Sequence, residues 1–320
     1  MTNYSTLKIL IINILLTSLT TLSAQADFKS MPKISLKTVW KKGESYQYEL
    51  KKGKKSFLDA VQENHSETRQ LVTLTVLEAS AKGYIMEADY QSAAYFLPED
   101  LKKINSVQQL VEKYSHTKVR YAINPDGEFL GILNGREIQK MLVELFDALE
   151  SSKKLMEAEA IVLTNMRCQM TSEAYITEGV FQELHLLHQF YGNEYQHDII
   201  KQYDTQLANM LEPKGTPIPA RATLKVSMKD DNYCLVEHHL TPDALRMKKL
   251  TFDYLNKMSG GTWQAENIES LGMIVQDEGT FAYHLRSGWL VEMLKKRTTT
   301  LDNEKTVEYV SMKLLEKGSF

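Results

Sequence analysis

The chain has 320 residues, 43% hydrophobic and 25% charged, with 38 basic and 41 acidic side chains giving a formal net charge of −3. A near-neutral balance with no basic block lacks the electrostatic footprint of a nucleic-acid binder, and the apolar fraction is too high for a disordered chain. Two cysteines, Cys168 and Cys234, do not make a disulfide-stapled scaffold; an oxidising compartment would let them pair, but two buried thiols are the simpler expectation.

Residues 1–26 read as a cleavable signal peptide. Met1 to Lys8 is polar and carries the segment's only charged side chain. The apolar run Ile9–Leu16 follows, broken by Asn13, and Ala24-Gln25-Ala26 offers the small-residue pattern that signal peptidase accepts before Asp27. The run is too short and interrupted for a permanent anchor, and no later stretch has the ~20 apolar residues a spanning helix needs. The expectation is export to the periplasm or beyond, with no integral membrane segment after cleavage.

The chain after Asp27 opens with period-two alternation, the mark of half-buried strands. Tyr46, Tyr48 and Leu50 share one face, and Val72, Leu74 and Val76 another. A turn at Ala81-Lys82-Gly83 leads to a hairpin partner over residues 84–90. A short helix is expected over Pro98–Tyr114. The hairpin from Lys118 to Leu133 then turns at Asn124-Pro125-Asp126-Gly127, where proline presets one backbone angle and Asp-Gly tolerates positive φ. Asn134, with Glu137 three residues on, reads as a helix cap. Ile138, Met141, Leu142, Leu145, Phe146 and Leu149 follow at helical spacing.

Helical periodicity is read to about Leu211, including helices over Ser172–Tyr191 and Gln196–Leu211, and the proline-rich run 213–219 ends the block. Strands resume at 222–228 and 233–240. A helix follows over Pro242–Met258, capped by Thr241 and stopped by Ser259-Gly260-Gly261. The last stretch reads as a meander turning at Asp277-Glu278-Gly279, Arg286-Ser287-Gly288 and Asp302-Asn303. The fold class expected is therefore α+β: one domain over residues 27–320, with a curved, mainly antiparallel sheet and a helical layer inserted at about 135–212.

Chemistry-bearing motifs are few. Glu183, His185 and His188 share a helix, and Glu194, His197 and Asp198 follow, so His185, His188 and His197 are the candidate metal ligands. The pattern is not His-Glu-x-x-His, and helical projection puts Val180, Leu184 and Leu187 at the centre of the apolar stripe with His188 on its edge. Glu237-His238-His239 lies in a strand, where one histidine points in and the other out. Glu87 and Asp89 belong to a solvated strand face. Lys51-Lys52, Lys54-Lys55 and Lys295-Lys296-Arg297 read as exposed strand ends protecting an edge. No nucleophile elbow or phosphate loop is present, and no cofactor is implied. Tyr46, Tyr48, Tyr84, Tyr90, Phe281, Tyr283 and Trp289 concentrate in the sheet segments and are the candidate ligand-lining residues, since such rings line binding surfaces as readily as they fill cores.

Two segments carry a resemblance: Tyr121-Ala122-Ile123-Asn124-Pro125-Asp126-Gly127-Glu128-Phe129 and Phe281-Ala282-Tyr283-His284-Leu285-Arg286-Ser287-Gly288-Trp289-Leu290. In these the chain resembles uncharacterised exported bacterial proteins with a long antiparallel meander. In layout it is more distantly similar to periplasmic lipoprotein carriers, whose curved sheet is closed over by helices to hold acyl chains. The leading expectation is a non-enzymatic envelope protein that binds a hydrophobic small molecule or another envelope protein. The alternatives are a metal-dependent hydrolase using the three histidines, and a structural or assembly component of the envelope.

Overall fold

The computed structural model describes residues 33–91, 109–110, 112–114, 116–152, 163–164, 167–168, 170–172, 175–207, 209, 215–258 and 272–317. The signal-peptide reading and most of the helix expected over Pro98–Tyr114 lie outside them; of that helix, residues 109–110 and 112–113 are described and helical. The described strands are β1 (Lys33–Ser35), β2 (Ser45–Leu58), β3 (Val61–Ser80), β4 (Gly83–Tyr90), β5 (Thr117–Ile123), β6 (Phe129–Ile132), β7 (Glu194–Gln196), β8 (Ile200–Leu207), β9 (Ile218–Met228), β10 (Tyr233–Pro242), β11 (Met273–His284), β12 (Trp289–Leu301) and β13 (Glu304–Lys317). The described helices are α1 (Gly135–Ser152), α2 (Gln182–His188), which follows a π-helical turn at Ile176–Val180, and α3 (Ala244–Met258). None of these helices is long and apolar enough to cross a membrane.

This is a mostly β protein, which corrects the α+β expectation. Eleven strands form one antiparallel sheet in the order β6-β5-β4-β3-β2-β13-β12-β11-β10-β9-β8, and β1 pairs only with β7. The helical block is thinner than the periodicity suggested. Ile200–Leu207 is an edge strand rather than part of a helix: Tyr203, Thr205 and Leu207 face inward, while Gln202, Asp204 and Gln206 face out. Tyr203 and Leu207 lie four apart, so they fit a helical stripe and a strand face equally, and pairing with β9 decides between them. Over Ser172–Tyr191 the helix is short and preceded by the π turn.

The sheet is not closed. Strands β2 to β6 step outward to one edge, and β8 to β13 step back from the other until β13 pairs with β2. The chain between β6 and β8 must therefore travel from one edge to the other, ten strand spacings or about 48 Å along the surface. Contacts trace that path across the inward face. Phe181 meets Tyr90 of β4, the Tyr283 hydroxyl of β11 donates to the Leu187 carbonyl, and Phe190 lies against His238 of β10. A separate apolar cluster forms where Met247 and Leu250 of α3 cover Ala222, Leu240 and Val275.

Local chemistry explains most element ends. Gly127 N–H donates to the Asn124 carbonyl at 3.0 Å, and Gly127 takes φ +100° in the expected Asn-Pro-Asp-Gly turn. Asn134 departs from the capping role expected of its side chain: Oδ1 accepts from Arg120 N–H, and Nδ2 donates to the Lys118 carbonyl and to Glu137. It ties α1 to β5 instead. The cap of α3 is Asp243, whose Oδ1 accepts from Arg246 N–H at 2.7 Å, while Thr241 stays in β10.

Asp277-Glu278-Gly279 is not a turn. It lies in the middle of β11, where inward Val275, Asp277, Gly279 and Phe281 continue the alternation. A Cβ at Gly279 would meet the Phe281 ring at 2.7 Å, so that ring takes the place of the missing side chain.

The β11–β12 turn supplies a test. Gly288 adopts φ +69°, and a Cβ there would overlap the Lys37 carbonyl oxygen. Gly288→Ala combines that overlap with left-handed strain, so it is expected to cost about 1–3 kcal/mol and to lower the thermal midpoint measured by circular dichroism by several degrees. An unchanged midpoint would contradict the packing of the Lys37 segment against this turn.

Candidate functional site

The sheet register arranges the inward side chains of β10, β11, β12, β13 and β2 into rows. Val236, Phe281, Met293, Met312 and Leu50 form an apolar row in successive cross-strand pairs. Four residues further along each strand, the corresponding row is Leu240, Asp277, Arg297, Glu308 and Lys54. Four neighbouring strands thus present minus, plus, minus, plus in direct register, a ladder in which each charge has an opposite charge beside it. The intervening row is His238, Gly279, Lys295, Val310 and Lys52. The row beyond the ladder is Val275, Thr299, Thr306 and Ser56. Along the strands the inward face therefore passes from apolar to charged to hydroxylic within four rows.

Asp277, Arg297, Lys295 and Glu308 are all buried. Arg297 donates to both Asp277 oxygens at 2.6 Å, a bidentate fork. Burial alone would raise the Asp277 pKa, but Arg297 and Lys295 outweigh it and hold the carboxylate ionised well below its ordinary range. Lys54 lies 3.3 Å from Glu308. Burial dominates at Glu308 and pushes its pKa up to about 7 against the pull of Lys54. Lys52 lies 2.7 Å from Glu183 of α2, which also accepts from the Tyr90 hydroxyl at 2.8 Å. This pins α2 to β2 and β4.

The residues expected to line a ligand site converge, and their polar atoms are mostly engaged. Tyr46 and Trp289 are 4.2 Å apart between ring centroids, and Trp289 stacks on Trp40 at 4.4 Å. Tyr48 donates to the Leu290 carbonyl at 2.8 Å, and Tyr84, half-buried, to the Thr38 carbonyl at 3.3 Å. Tyr90, Phe281 and Tyr283 lie on the same face against Phe181, Phe190 and Tyr191. The Tyr191 hydroxyl donates to the Gly288 carbonyl. The indole nitrogens of Trp40 and Trp289 are buried without a hydrogen-bond partner among the described residues.

The candidate metal ligands do not converge. His188 is buried between the Gly127 carbonyl, 3.0 Å from Nδ1, and the Tyr121 hydroxyl, 3.3 Å from Nε2. Burial holds its pKa down at about 3, so Nδ1–H donates and Nε2 accepts in a neutral ring. His185 sits edge-on to Phe129. His197 is elsewhere, accepting from Met228 N–H and 3.3 Å from Asp198. Among the described residues no group of three histidine, cysteine, aspartate or glutamate side chains could hold a metal ion. Cys234 is buried, whereas Cys168 is exposed, against expectation, and both are free thiols. His238 points inward and is buried, while His239 is exposed.

Sequence reasoning missed the charge ladder. Lys295 and Arg297 belong to the inward face rather than an exposed strand end, and only Lys296 between them faces solvent. Lys52 and Lys54 likewise face inward, half-buried. The available signal was parity: Met293, Lys295, Arg297 and Thr299 continue one alternation, and Asp277 and Glu308 fall on matching parity in neighbouring strands.

No family model and no curated protein matches the chain. A solved structure described as lipid–protein interactions in lipovitellin is similar over 87% of this chain, with 9% sequence identity and a TM-score of 0.40. The match covers 26% of the lipovitellin chain.

Glu308 makes the ladder testable through pH. Its folded pKa of about 7 lies above the ordinary 4.5, so the folded state binds more protons between those values. Stability from this residue is fully present below about 4.5 and is lost as pH rises through 7. Relative to the wild type, Glu308→Gln is expected to gain roughly 2–3 kcal/mol in urea unfolding between pH 5 and pH 8.5. A pH-independent difference would sink the assignment. His188 and His238, both held near 3 chiefly by burial, act oppositely and remove stability as pH falls below 6.5.

Proposed function

We propose that this protein is an exported envelope protein that binds a hydrophobic ligand on the inward face of its open sheet, beneath the segment that crosses from β6 to β8. One observation carries the reading: the inward face of an unclosed sheet runs from aromatic and aliphatic rows directly into buried charge. A core needs no such boundary. Burying Asp277, Arg297, Lys295 and Glu308 costs several kcal/mol per ion before pairing recovers it, and well-packed apolar residues would serve folding as well or better. An amphiphilic ligand gives both halves of the surface a use. The aromatic residues beside α2 form the apolar part, and the crossing segment is the cover that a ligand would displace. The signal-peptide pattern of residues 1–26 supports export.

A second reading has its own observation. Both sheet edges carry exposed apolar side chains, Leu130 and Leu133 at the β6 edge and Ile199 and Ile200 at the β8 edge, where natural sheets usually place charge or proline. That pattern suits recognition by another envelope protein through strand addition.

Native mass spectrometry of the protein, expressed with its own leader and gently purified, tests these readings together. The expected result is a chain beginning at Asp27 that carries acyl-chain mass, with uptake of a fluorescent fatty acid by the delipidated protein. Bare protein with no uptake would overturn the ligand reading. A stable co-purifying protein would move the assignment to the edge strands.

A further inference from the structure

The ladder explains four of the buried or half-buried charges on the inward face, Lys52 is paired with Glu183 of α2, and Lys295 is left to account for. Asp277, Arg297, Glu308 and Lys54 alternate in sign across four strands, and such alternation fixes their register. Lys295 stands one row away, between Gly279 of β11 and Val310 of β13. Its nearest carboxylate is Asp277, 3.4 Å away, and both Asp277 oxygens already accept 2.6 Å bonds from Arg297. The Lys295 ammonium nitrogen is buried, with the residue only 8% exposed, and beyond that ion pair it has no hydrogen-bond partner among the described residues. An ammonium has three donors to satisfy, and leaving them unmade in a buried position costs several kcal/mol.

Its position is equally specific. Lys295 lies at the step between the apolar row of Phe281, Met293 and Met312 and the charge ladder. An amphiphile with its chain on the apolar rows would bring its head to this point. We propose that the inward face holds an amphiphile bearing a carboxylate or phosphate head, with Lys295 as the cation that receives it. The proposal rests on the ligand-binding reading above and adds the chemistry of the head group. A compact ammonium suits either anion, since it acts as a point charge with no fixed fork to match. Burial lowers the Lys295 pKa, and an incoming anion would raise it again. Arg297 cannot substitute, because its fork is committed to Asp277.

The test uses the whole exported chain and four probes: palmitate, hexadecyl phosphate, hexadecanol and inorganic phosphate, titrated by calorimetry into wild type, Lys295→Met and Lys295→Arg. In the wild type both anionic amphiphiles are expected to bind at least tenfold more tightly than hexadecanol. Lys295→Met should erase that preference while leaving hexadecanol affinity unchanged, and Lys295→Arg should retain it. Equal binding of palmitate and hexadecanol, unmoved by Lys295→Met, would overturn the head-group site and leave the apolar site standing. Silence from every probe would remove both. Binding of inorganic phosphate alone would overturn the amphiphile and leave a simple anion site.

Should Lys295→Met fail to fold, carboxyl-labelled palmitate bound to wild type supplies the answer by NMR. Its carboxyl group is expected to titrate at lower pH than that of unbound palmitate, and an unshifted titration would overturn the proposal.

Discussion

The pairing of β13 with β2 is the constraint on which the molecule depends. It joins the two ends of the described chain at the centre of the sheet, with Tyr46 opposite Lys317 and Leu58 opposite Glu304. Each half is a meander of local hairpins, but neither half alone brings Glu308 to Lys54 or Met312 to Leu50. Because side chains alternate with period two, a slip of one residue in this pair would turn the inward row of every later strand to solvent. Closing so distant a pair costs loop entropy before any contact compensates, so it is expected to be a slow step in folding. The charge ladder straddles this seam. A slipped register would leave a buried charge unpaired or beside a like charge, a penalty that a purely apolar row would not impose.

The same pairing determines where the helices go. Once the ends meet in the middle, the two edges of the sheet are β6 and β8, and the chain linking them must cross the inward face. The polar contacts of α2 are explained by this route rather than by helix propensity. Glu183 meets Lys52 of β2 and Tyr90 of β4. His188 meets Tyr121 of β5 and the Gly127 carbonyl of the β5–β6 turn, and the Leu187 carbonyl receives Tyr283 of β11. Each contact satisfies a polar group that the crossing would otherwise bury unpaired. A cover fastened by a few such bonds over an aromatic floor can be displaced more readily than a sheet can be reopened.

Much of this was legible in the sequence. The hairpin at Asn124–Gly127, the turns at Arg286–Gly288 and Asp302-Asn303, the β9–β10 hairpin and the body of α3 follow from turn chemistry and alternation, which are local. The misreadings share one cause. Asp277-Glu278-Gly279 has turn composition, yet Asp277 is held in a strand by Arg297, twenty positions further along the chain, and Gly279 is filled by the ring of Phe281. Ile200–Leu207 has spacing compatible with a helix, and only the presence of β9 makes it an edge strand. Lys295 and Arg297 have the composition of a solvated strand end, and only carboxylates on β11 and β13 make them interior. Local composition carries the cost of burying a charge and contains nothing about the partner that offsets it.

That asymmetry separates the features of the inward face by the job they perform. The aromatic rows are explained by packing, because Tyr48 and Tyr283 donate to backbone carbonyls and Trp289 lies against Trp40 and Tyr46. The ladder is explained by register, since its four charges answer one another. Lys295 fits these accounts only in part: it is the second cation on Asp277, 3.4 Å away and outside the ladder row, and a methionine would fill the same volume without the cost of a buried ammonium. Its nearest acceptor, Asp277, is already held at both oxygens by the closer Arg297, so Lys295 is the weaker of two cations there. A buried cation beside an apolar surface, with donors left over after its one ion pair, is held in place by that pair and the surrounding sheet. An arrangement of that kind becomes favourable when something anionic and partly apolar arrives from outside the chain.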